Sequence, residues 1–203
     1  QAQQHLDCRL DVLVDSHGQR LREASTVEEL GLEDGDTLSA TIWRKPRQRS
    51  LGHVFALRRR DGAMVVWGDI QHGGDCSAVK DQLQDVEDVV FTYSACAARL
   101  ADGRVVTWGA QKSGGDSNAV QEQLRDVKEV HASYGAFAAL RADGSVISWG
   151  DSDYGGAGPA EGPPQGVRLL ASTRYAFAAV CDPGGLVIAW GRPTSGGDVG
   201  EAR

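Results

Sequence analysis

Residues 127–150 alternate short apolar runs with polar turns. The runs AFAAL at 136–140 and SVISWG at 145–150 flank an Asp143-Gly144 turn, and VKEVHAS at 127–133 precedes them. Two short apolar runs on either side of an Asp-Gly pair are typical of a β-hairpin. No apolar pattern of helical period is long enough to indicate a helix. The stretch therefore predicts three short strands of one antiparallel sheet.

The same pattern occurs four times after residue 51. Each copy ends its hairpin in tryptophan and glycine, neighbouring tryptophans are 41 residues apart, and a glycine pair follows in register. A fixed period of about 20–50 residues is typical of solenoids, propellers and arrays, and three or four short strands per period favour a propeller blade. The repeat residues are Trp67, Trp108, Trp149 and Trp190, followed by Gly68, Gly109, Gly150 and Gly191, with glycine pairs at 73–74, 114–115, 155–156 and 196–197.

The largest and smallest side chains of the repeat predict how the blades pack. A tryptophan at the end of each hairpin would fill the wedge between neighbouring blades, where a ring buries roughly 150–250 Å². Paired alanines in the other hairpin strand would let the blades approach closely. These alanines are Ala97, Ala98, Ala138, Ala139, Ala178 and Ala179.

The phrase DGSVISWG…YGG at 143–156, followed by a valine-rich strand and AFAAL, resembles the repeat of the regulator of chromosome condensation family. The resemblance covers residues 51–203 and recurs in register four times. It implies a β-propeller, seven-bladed in that family, with a binding surface. Blades of that family are usually longer than 41 residues, and the shorter blade looks more like the β-lactamase inhibitor propeller of the same fold group.

Residues 9–43 have a different organisation. RLDVLVDSHGQRLREASTVEELGLEDGDTLSATIW reads as a strand, a glycine turn, a short TVEELGL segment, an Asp34-Gly35 turn and another strand. This order resembles the C-terminal half of a ubiquitin-like β-grasp, so we expect the chain to begin inside such a domain. The residues that carry the resemblance are Thr26, Leu30, Leu32, Thr37 and Leu38.

We therefore predict a mainly β chain with a partial β-propeller of four 41-residue blades, preceded by the C-terminal half of a ubiquitin-like β-grasp. The predicted domains are a partial ubiquitin-like segment at 1–44, a basic linker at 45–50 and propeller repeats at 51–203. The repeats are divided at about 51–92, 93–133, 134–173 and 174–203.

Four blades are fewer than the seven that the resemblance implies. The last copy stops at GGDVGEAR, before its outer strand is complete. The sequence is then a piece of a longer chain, an open arc completed by a partner, or a four-bladed closure, and the early stop favours the first two. Because uncovered strand edges pair with other chains, we expect other blades or another chain to complete the arc.

Composition and charge narrow the function classes. The chain is 41% hydrophobic and 24% charged, as in an ordinary soluble globular protein, and its net charge of −7 argues against wholesale phosphate binding. No stretch approaches 18 uninterrupted apolar residues, so no membrane span is predicted. A basic cluster is read as a solvated linker beside a hairpin tip rather than as a nuclear-localisation or nucleic-acid patch. Its members are Arg44, Lys45, Arg47, Arg49, Arg58, Arg59 and Arg60.

No residue pattern indicates catalysis, a cofactor or a metal. The histidines fall in no nucleophile or metal motif, and no phosphate-cradling loop is present. The acidic loop of Asp151, Asp153 and Gly155 lacks the glutamate that closes a calcium loop. We therefore interpret these residues as forming a tight turn, where Asp and Gly are favoured. The histidines are His5, His17, His53, His72 and His131.

The cysteines predict neither a zinc site nor a disulfide framework. They contain no Cys-x-x-Cys pair, and Cys96 takes the repeat position of Phe55 and Phe137, as a small core residue would. We therefore expect a reducing, intracellular location. The cysteines are Cys8, Cys76, Cys96 and Cys181.

The function that we predict is a non-catalytic protein-interaction scaffold, in which a propeller arc docks a larger partner or complex. The resemblance also implies guanine-nucleotide exchange on a small GTPase as an alternative. Similar propellers occur in large HERC-type ubiquitin ligases, which implies a regulatory role in the ubiquitin pathway as a second alternative. A structural subunit of a stable multiprotein complex is the third. Function varies widely across such propellers, so the fold does not choose among them.

Overall fold

The computed structural model describes residues 12–14, 20–21, 39–41, 54–58 and 64–200. The chain divides into two compact units, Gln1–Lys45 and Pro46–Arg203. In the described part, no helix combines the length and the apolar character that a membrane crossing requires.

The first unit contains a small antiparallel sheet. Strand β1 (Val12–Val14) lies between β2 (Arg20–Leu21) and β3 (Ser39–Thr41), and Leu13 is paired with both Leu21 and Ala40. The ubiquitin-like assignment of this segment stays a prediction. The residues on which it depends, Thr26, Leu30, Leu32, Thr37 and Leu38, lie outside the described residues.

Within its described residues, the second unit contains four successive antiparallel sheets, which we number in chain order. Each of the last three has three strands whose spatial order follows the chain, and two strands of the first are described. The first sheet is β4 (Val54–Arg58) and β5 (Met64–Gly68); the second is β6 (Val86–Phe91), β7 (Ala95–Leu100) and β8 (Val105–Gly109); the third is β9 (Val127–Ala132), β10 (Ala136–Arg141) and β11 (Val146–Gly150); the fourth is β12 (Val167–Ser172), β13 (Ala176–Cys181) and β14 (Leu186–Gly191).

The predicted hairpins are present, and their turns show why Asp-Gly recurs. In the third sheet, the Asp143 carboxylate accepts a hydrogen bond from the Ser145 amide at 2.9 Å, and Gly144 has a φ of +81°, a left-handed conformation that favours glycine. This turn fixes the register so that Phe137 lies opposite Trp149. The equivalent pairs are Phe55 with Trp67, Cys96 with Trp108 and Phe177 with Trp190.

Each sheet is offset from the sequence repeat by one strand. Strand β6 lies at the end of the first predicted repeat, 51–92, yet it pairs with β7 of the second repeat and completes the sheet of that hairpin. Strands β9 and β12 pair forward in the same way. The hairpin with its tryptophan is therefore the second and third strand of a sheet.

Consecutive sheets share an apolar core. Neighbouring residues of a strand point to opposite faces of its sheet. Accordingly, Ala98 packs in the core between the first and second sheets, and Ala97 packs in the core between the second and third. The prediction that small residues allow close approach is confirmed, since Ala97, Ala98, Ala138, Ala139 and Ala179 are fully buried and Ala178 is half-buried.

Candidate interaction surfaces

A tryptophan and a glycine turn form the joint between neighbouring sheets. The Trp108 Nε1–H donates to the Gly73 carbonyl at 2.9 Å, and the Trp149 Nε1–H donates to the Gly114 carbonyl at 3.0 Å. Each acceptor lies 35 residues earlier, in the turn that follows the preceding sheet. The hydrogen bond satisfies an indole N–H that the packing has removed from water. The repeated tryptophan and the repeated glycine pair are thus two halves of one contact.

At Gly114 and Gly155, the first glycine of the pair leaves room for an aromatic ring. Gly114 ends a short 3₁₀ helix, Gln111–Ser113, with a φ of +90°. A Cβ built on it would lie 2.6 Å from Cδ2 of Phe137, closer than real Cβ atoms come. The glycines that follow the tryptophans also have positive φ, at Gly68, Gly109, Gly150 and Gly191.

We call the face of a sheet that carries the tryptophan of its hairpin its leading face. On the second and third sheets this face packs against the preceding sheet, and Trp108 and Trp149 are 5% and 4% exposed. On the first sheet Trp67 is 47% exposed and Phe55 is 49% exposed. The prediction that every tryptophan fills an interface is therefore confirmed for Trp108, Trp149 and Trp190 and wrong for Trp67. The reason is positional, because none of the four sheets precedes the first.

The fourth sheet has a joint of the same kind, with one difference. Trp190 is 3% exposed, and a Cβ on Gly155 would lie 3.2 Å from its Cδ1. Its Nε1–H is buried but has no acceptor among the described residues. Beyond the fourth sheet, a Cβ on Gly196 would meet nothing within 4 Å, and Val187 is 36% exposed where Val105, its repeat equivalent, is fully buried.

The turns at one end of the sheets carry a row of aromatic side chains. In an antiparallel sheet of three strands, the first turn and the end of the third strand lie at the same end. The backbone joins these turns between sheets, because the Tyr93 amide donates to the Tyr134 carbonyl at 2.8 Å and the Tyr134 amide donates to the Arg174 carbonyl at 2.7 Å.

The side chains at these turns stack on one another. We call Tyr93, Tyr134, Tyr154 and Tyr175 the tyrosine row. Ring centroids are 4.7 Å apart for Tyr93 and Tyr134, 5.2 Å for Tyr134 and Tyr154, and 5.8 Å for Tyr154 and Tyr175. His72 meets Tyr93 edge-on at 4.8 Å. The tyrosine row is a stacked aromatic surface that is accessible to solvent, since none of these tyrosines is fully buried.

Two arginines lie on the tyrosine row. Arg174 Cζ is 4.9 Å from the ring centroid of Tyr134, and Arg192 Cζ is 5.2 Å from that of Tyr154. Both guanidinium groups also contact the ring of Tyr175, at 5.5 and 4.7 Å. These distances are within the range of cation–π attraction.

Within the described residues, no cluster of three or more metal-ligating side chains occurs. Burial raises the pKa of Cys96 to about 12, because the packed interior disfavours the thiolate. Its Sγ lies 3.7 Å from the Gly73 carbonyl, and the residue is fully buried. The prediction that Cys96 is a small core residue is confirmed.

Asp151 has the turn role that the sequence favoured. It caps the short 3₁₀ helix Ser152–Tyr154, and its carboxylate accepts from the Asp153 amide at 2.9 Å. Gly155 ends the helix with a φ of +96°. The predicted basic cluster at 44–60 lies outside the residues whose side chains are described.

A shallow cleft of about 470 Å³ lies between the turn after the second sheet and the last strand of the third. It is lined by the edge of Trp149, by Lys112 and Asp116, and by small polar side chains. Neither cysteine nor histidine lines it. Its chemistry is that of an open surface groove beside the joint.

Solved propeller structures are similar to this chain. Yeast RCC1 (Prp20), in a crystal structure with Kap60 bound, gives a TM-score of 0.50 and 14% sequence identity over 70% of this chain and 42% of that chain. Prp20p from Saccharomyces cerevisiae gives a TM-score of 0.47 and 15% sequence identity over 68% of this chain and 43% of that chain. Human WBSCR16 gives a TM-score of 0.46 and 19% sequence identity over 68% of this chain and 45% of that chain. The chain spans less than half the length of each. No protein-family model and no curated sequence matches it.

The likeness to yeast RCC1 is one of fold. Together with the four successive antiparallel sheets, it shows that the second unit has the fold of a partial β-propeller. The repeat pattern of the sequence predicts this propeller fold, and the prediction is confirmed.

Proposed function

We propose that the chain is a non-catalytic scaffold whose propeller arc docks a larger protein through the leading face of its first sheet. One observation carries the proposal: Phe55 and Trp67 are about half exposed, whereas Phe137 and Trp149, which form the same pair in the third sheet, are almost fully buried. A half-exposed aromatic pair on a sheet face marks an interaction site, because it leaves apolar surface in water.

The inner joints indicate what a partner must present to this face. The face of the second sheet that packs against the third carries Ala95, Ala97 and Val105, which share an apolar core with Trp149. The Gly114 carbonyl accepts the hydrogen bond from the Trp149 N–H. No described residue accepts from the Trp67 N–H. A partner that fits offers short aliphatic side chains and a main-chain carbonyl at a glycine turn. A further sheet of the same repeat type, carried by a larger partner, meets both requirements.

The test compares the two ends of the arc. Proteins that co-purify with the intact chain are identified, produced separately, and titrated against purified chain by calorimetry. We expect the Phe55→Ala/Trp67→Ala double variant to bind at least about ten-fold more weakly, because aromatic residues dominate interface energetics. Leu186→Ala is the matched control, since Leu186 is 55% exposed on the fourth sheet, and it should leave affinity unchanged.

Two results would overturn the proposal. A partner that binds the double variant as tightly as the unchanged chain does not use the leading face. Light scattering that shows a dimer of the purified chain, lost in the double variant, would make a second copy the occupant instead of a different protein.

Catalytic alternatives are separated by direct assay. The scaffold proposal predicts that the chain does not accelerate release of a fluorescent guanine nucleotide from small GTPases and does not transfer ubiquitin in a reconstituted reaction. Nucleotide release that saturates with added chain would replace the scaffold with an exchange factor.

A further inference from the structure

Arg174 and Arg192 differ from the other arginines whose side chains the structure describes. Between residues 64 and 200, the remaining five arginines each lie within 4 Å of a carboxylate, whereas neither Arg174 nor Arg192 has such a partner. The five pairs are Arg99 with Glu87, Arg104 with Asp102, Arg125 with Glu122, Arg141 with Asp143 and Arg168 with Asp182.

The two guanidinium groups are held in place by the tyrosine row instead. Both lie over the ring of Tyr175, and each also covers a second ring, Tyr134 for Arg174 and Tyr154 for Arg192. A guanidinium that stacks on a ring keeps the N–H groups at its edge free for hydrogen bonds. Restricting an arginine before binding lowers the entropy that a ligand must overcome.

The tyrosine hydroxyls add further polar groups to the same surface. Those of Tyr134, Tyr154 and Tyr175 make no hydrogen bond to any described residue, and none of the three is buried away from water. The surface therefore combines aromatic faces, two oriented cations and three hydroxyl groups that can donate.

We propose that this surface, formed by Arg174, Arg192 and the tyrosine row, binds an extended acidic segment of a protein partner. Carboxylates accept two parallel hydrogen bonds from a guanidinium, which is the geometry that an unpaired, oriented arginine offers. Because both guanidinium groups contact Tyr175, a single extended segment can reach both of them. The inference rests on the proposed scaffold function and adds a second contact surface to it.

The charges at this end of the sheets favour carboxylates over a nucleic acid. Asp69 and Asp151 cap the 3₁₀ helices of the first and third sheets at the same end as the row. A polyphosphate backbone places a charge at every nucleotide and needs several cations along its path. Two arginines suit two localised carboxylates better.

The experiment uses a fluorescein-labelled peptide of alternating glutamate and serine, titrated into the intact chain and followed by fluorescence anisotropy. We expect the peptide to bind, and added salt to weaken it, since exposed charges are screened. Arg174→Gln and Arg192→Gln should each weaken binding about ten-fold, because each removes a charge-assisted pair. Arg168→Gln is the matched control at the opposite end of the fourth sheet, 60% exposed and already paired, and should bind normally.

Further arms distinguish the alternatives. The matching glutamine–serine peptide should not bind, and oligothymidine should bind more weakly than the glutamate peptide. Amide NMR shifts caused by the peptide in the unsubstituted chain should centre on Tyr134, Arg174 and Tyr175, which keeps the test valid if a variant folds poorly.

Three outcomes would overturn the inference: no binding of the glutamate peptide, equal binding by the Arg174→Gln/Arg192→Gln double variant, or tighter binding of oligothymidine that depends on both arginines. None of these measurements involves Phe55 or Trp67. Failure here therefore leaves the leading-face proposal standing, and failure of that proposal leaves the peptide result interpretable.

Discussion

The aromatic pairs of the first and third sheets have nearly the same internal geometry and opposite surroundings. Phe55 and Trp67 stack with centroids 5.2 Å apart, and Phe137 and Trp149 stack at 5.3 Å. The first pair is about half exposed, whereas the second is almost completely buried. The hairpin alone therefore sets the stacking, while the preceding sheet sets the burial. Repeat proteins behave in this way because each repeat contacts only its neighbours.

The largest expected effect concerns the tryptophans of the two pairs. Trp149→Ala should lower the free energy of unfolding by about 3–5 kcal/mol, because it leaves a cavity in a packed core and deprives the Gly114 carbonyl of its donor. Trp67→Ala should cost only about 0.2–1 kcal/mol, the value of a cross-strand pair at the surface. Urea unfolding of both variants measures the difference. Equal losses would show that burial at the joint is not what distinguishes the two positions.

The next effect isolates the steric part of the joint through its glycines. Gly114 and Gly196 have φ values of +90° and +96°, so alanine brings similar backbone strain of about 1–2 kcal/mol at either position. Only at Gly114 does the new Cβ collide with Phe137. Gly114→Ala should therefore be less stable than Gly196→Ala by about 1–3 kcal/mol. Thermal melts of the two variants give this difference directly, and equal melting temperatures would show that the ring of Phe137 does not press on Gly114.

The smallest effect uses the thiol that replaces an aromatic ring on the second sheet. Burial raises the pKa of Cys96 from 9.0 to about 12, so above pH 9 the unfolded chain loses a proton that the folded chain keeps. Stability conferred by this group is complete below pH 9 and is lost as pH rises toward 12, at about 1.4 kcal/mol per pH unit. Cys96→Val removes the group, so the unchanged chain should lose more stability than the variant between pH 9 and 10. Parallel urea curves at both pH values test this, and identical losses would place the thiol in water.

Periodicity in the sequence was enough to predict the repeat region. The tryptophan interval, the Asp-Gly turns and the alanine pairs predict hairpins that stack as blades, and Trp108, Trp149 and Trp190 lie between sheets as expected. These features are local, since they depend on residues close together in the chain. The exposure of Trp67 depends on which sheet precedes it, and the repeated phrase carries no such information.

The tyrosine row was missed although a signal for it exists. Tyr93 and Tyr134 are 41 residues apart, at the same position of the repeat, and Arg174 takes that position in the fourth sheet, where one residue has been deleted. Tyr154 and Tyr175 come from other positions, and only the convergence of several turns brings them beside the first two. Spacing in the sequence predicts which residues occupy equivalent positions of successive repeats. Contacts between residues at different repeat positions depend on the folded structure.

The joint between sheets has a direction along the chain that matters during synthesis. The indole N–H groups of Trp108 and Trp149 each bond to a carbonyl 35 residues closer to the N-terminus, so in both joints the acceptor turn is made before its donor. A chain that folds as it leaves the ribosome can therefore add each blade to one already in place, with no wait for residues still to come. The arc can therefore be extended one sheet at a time, with each new hairpin packing against the sheet that was synthesised before it.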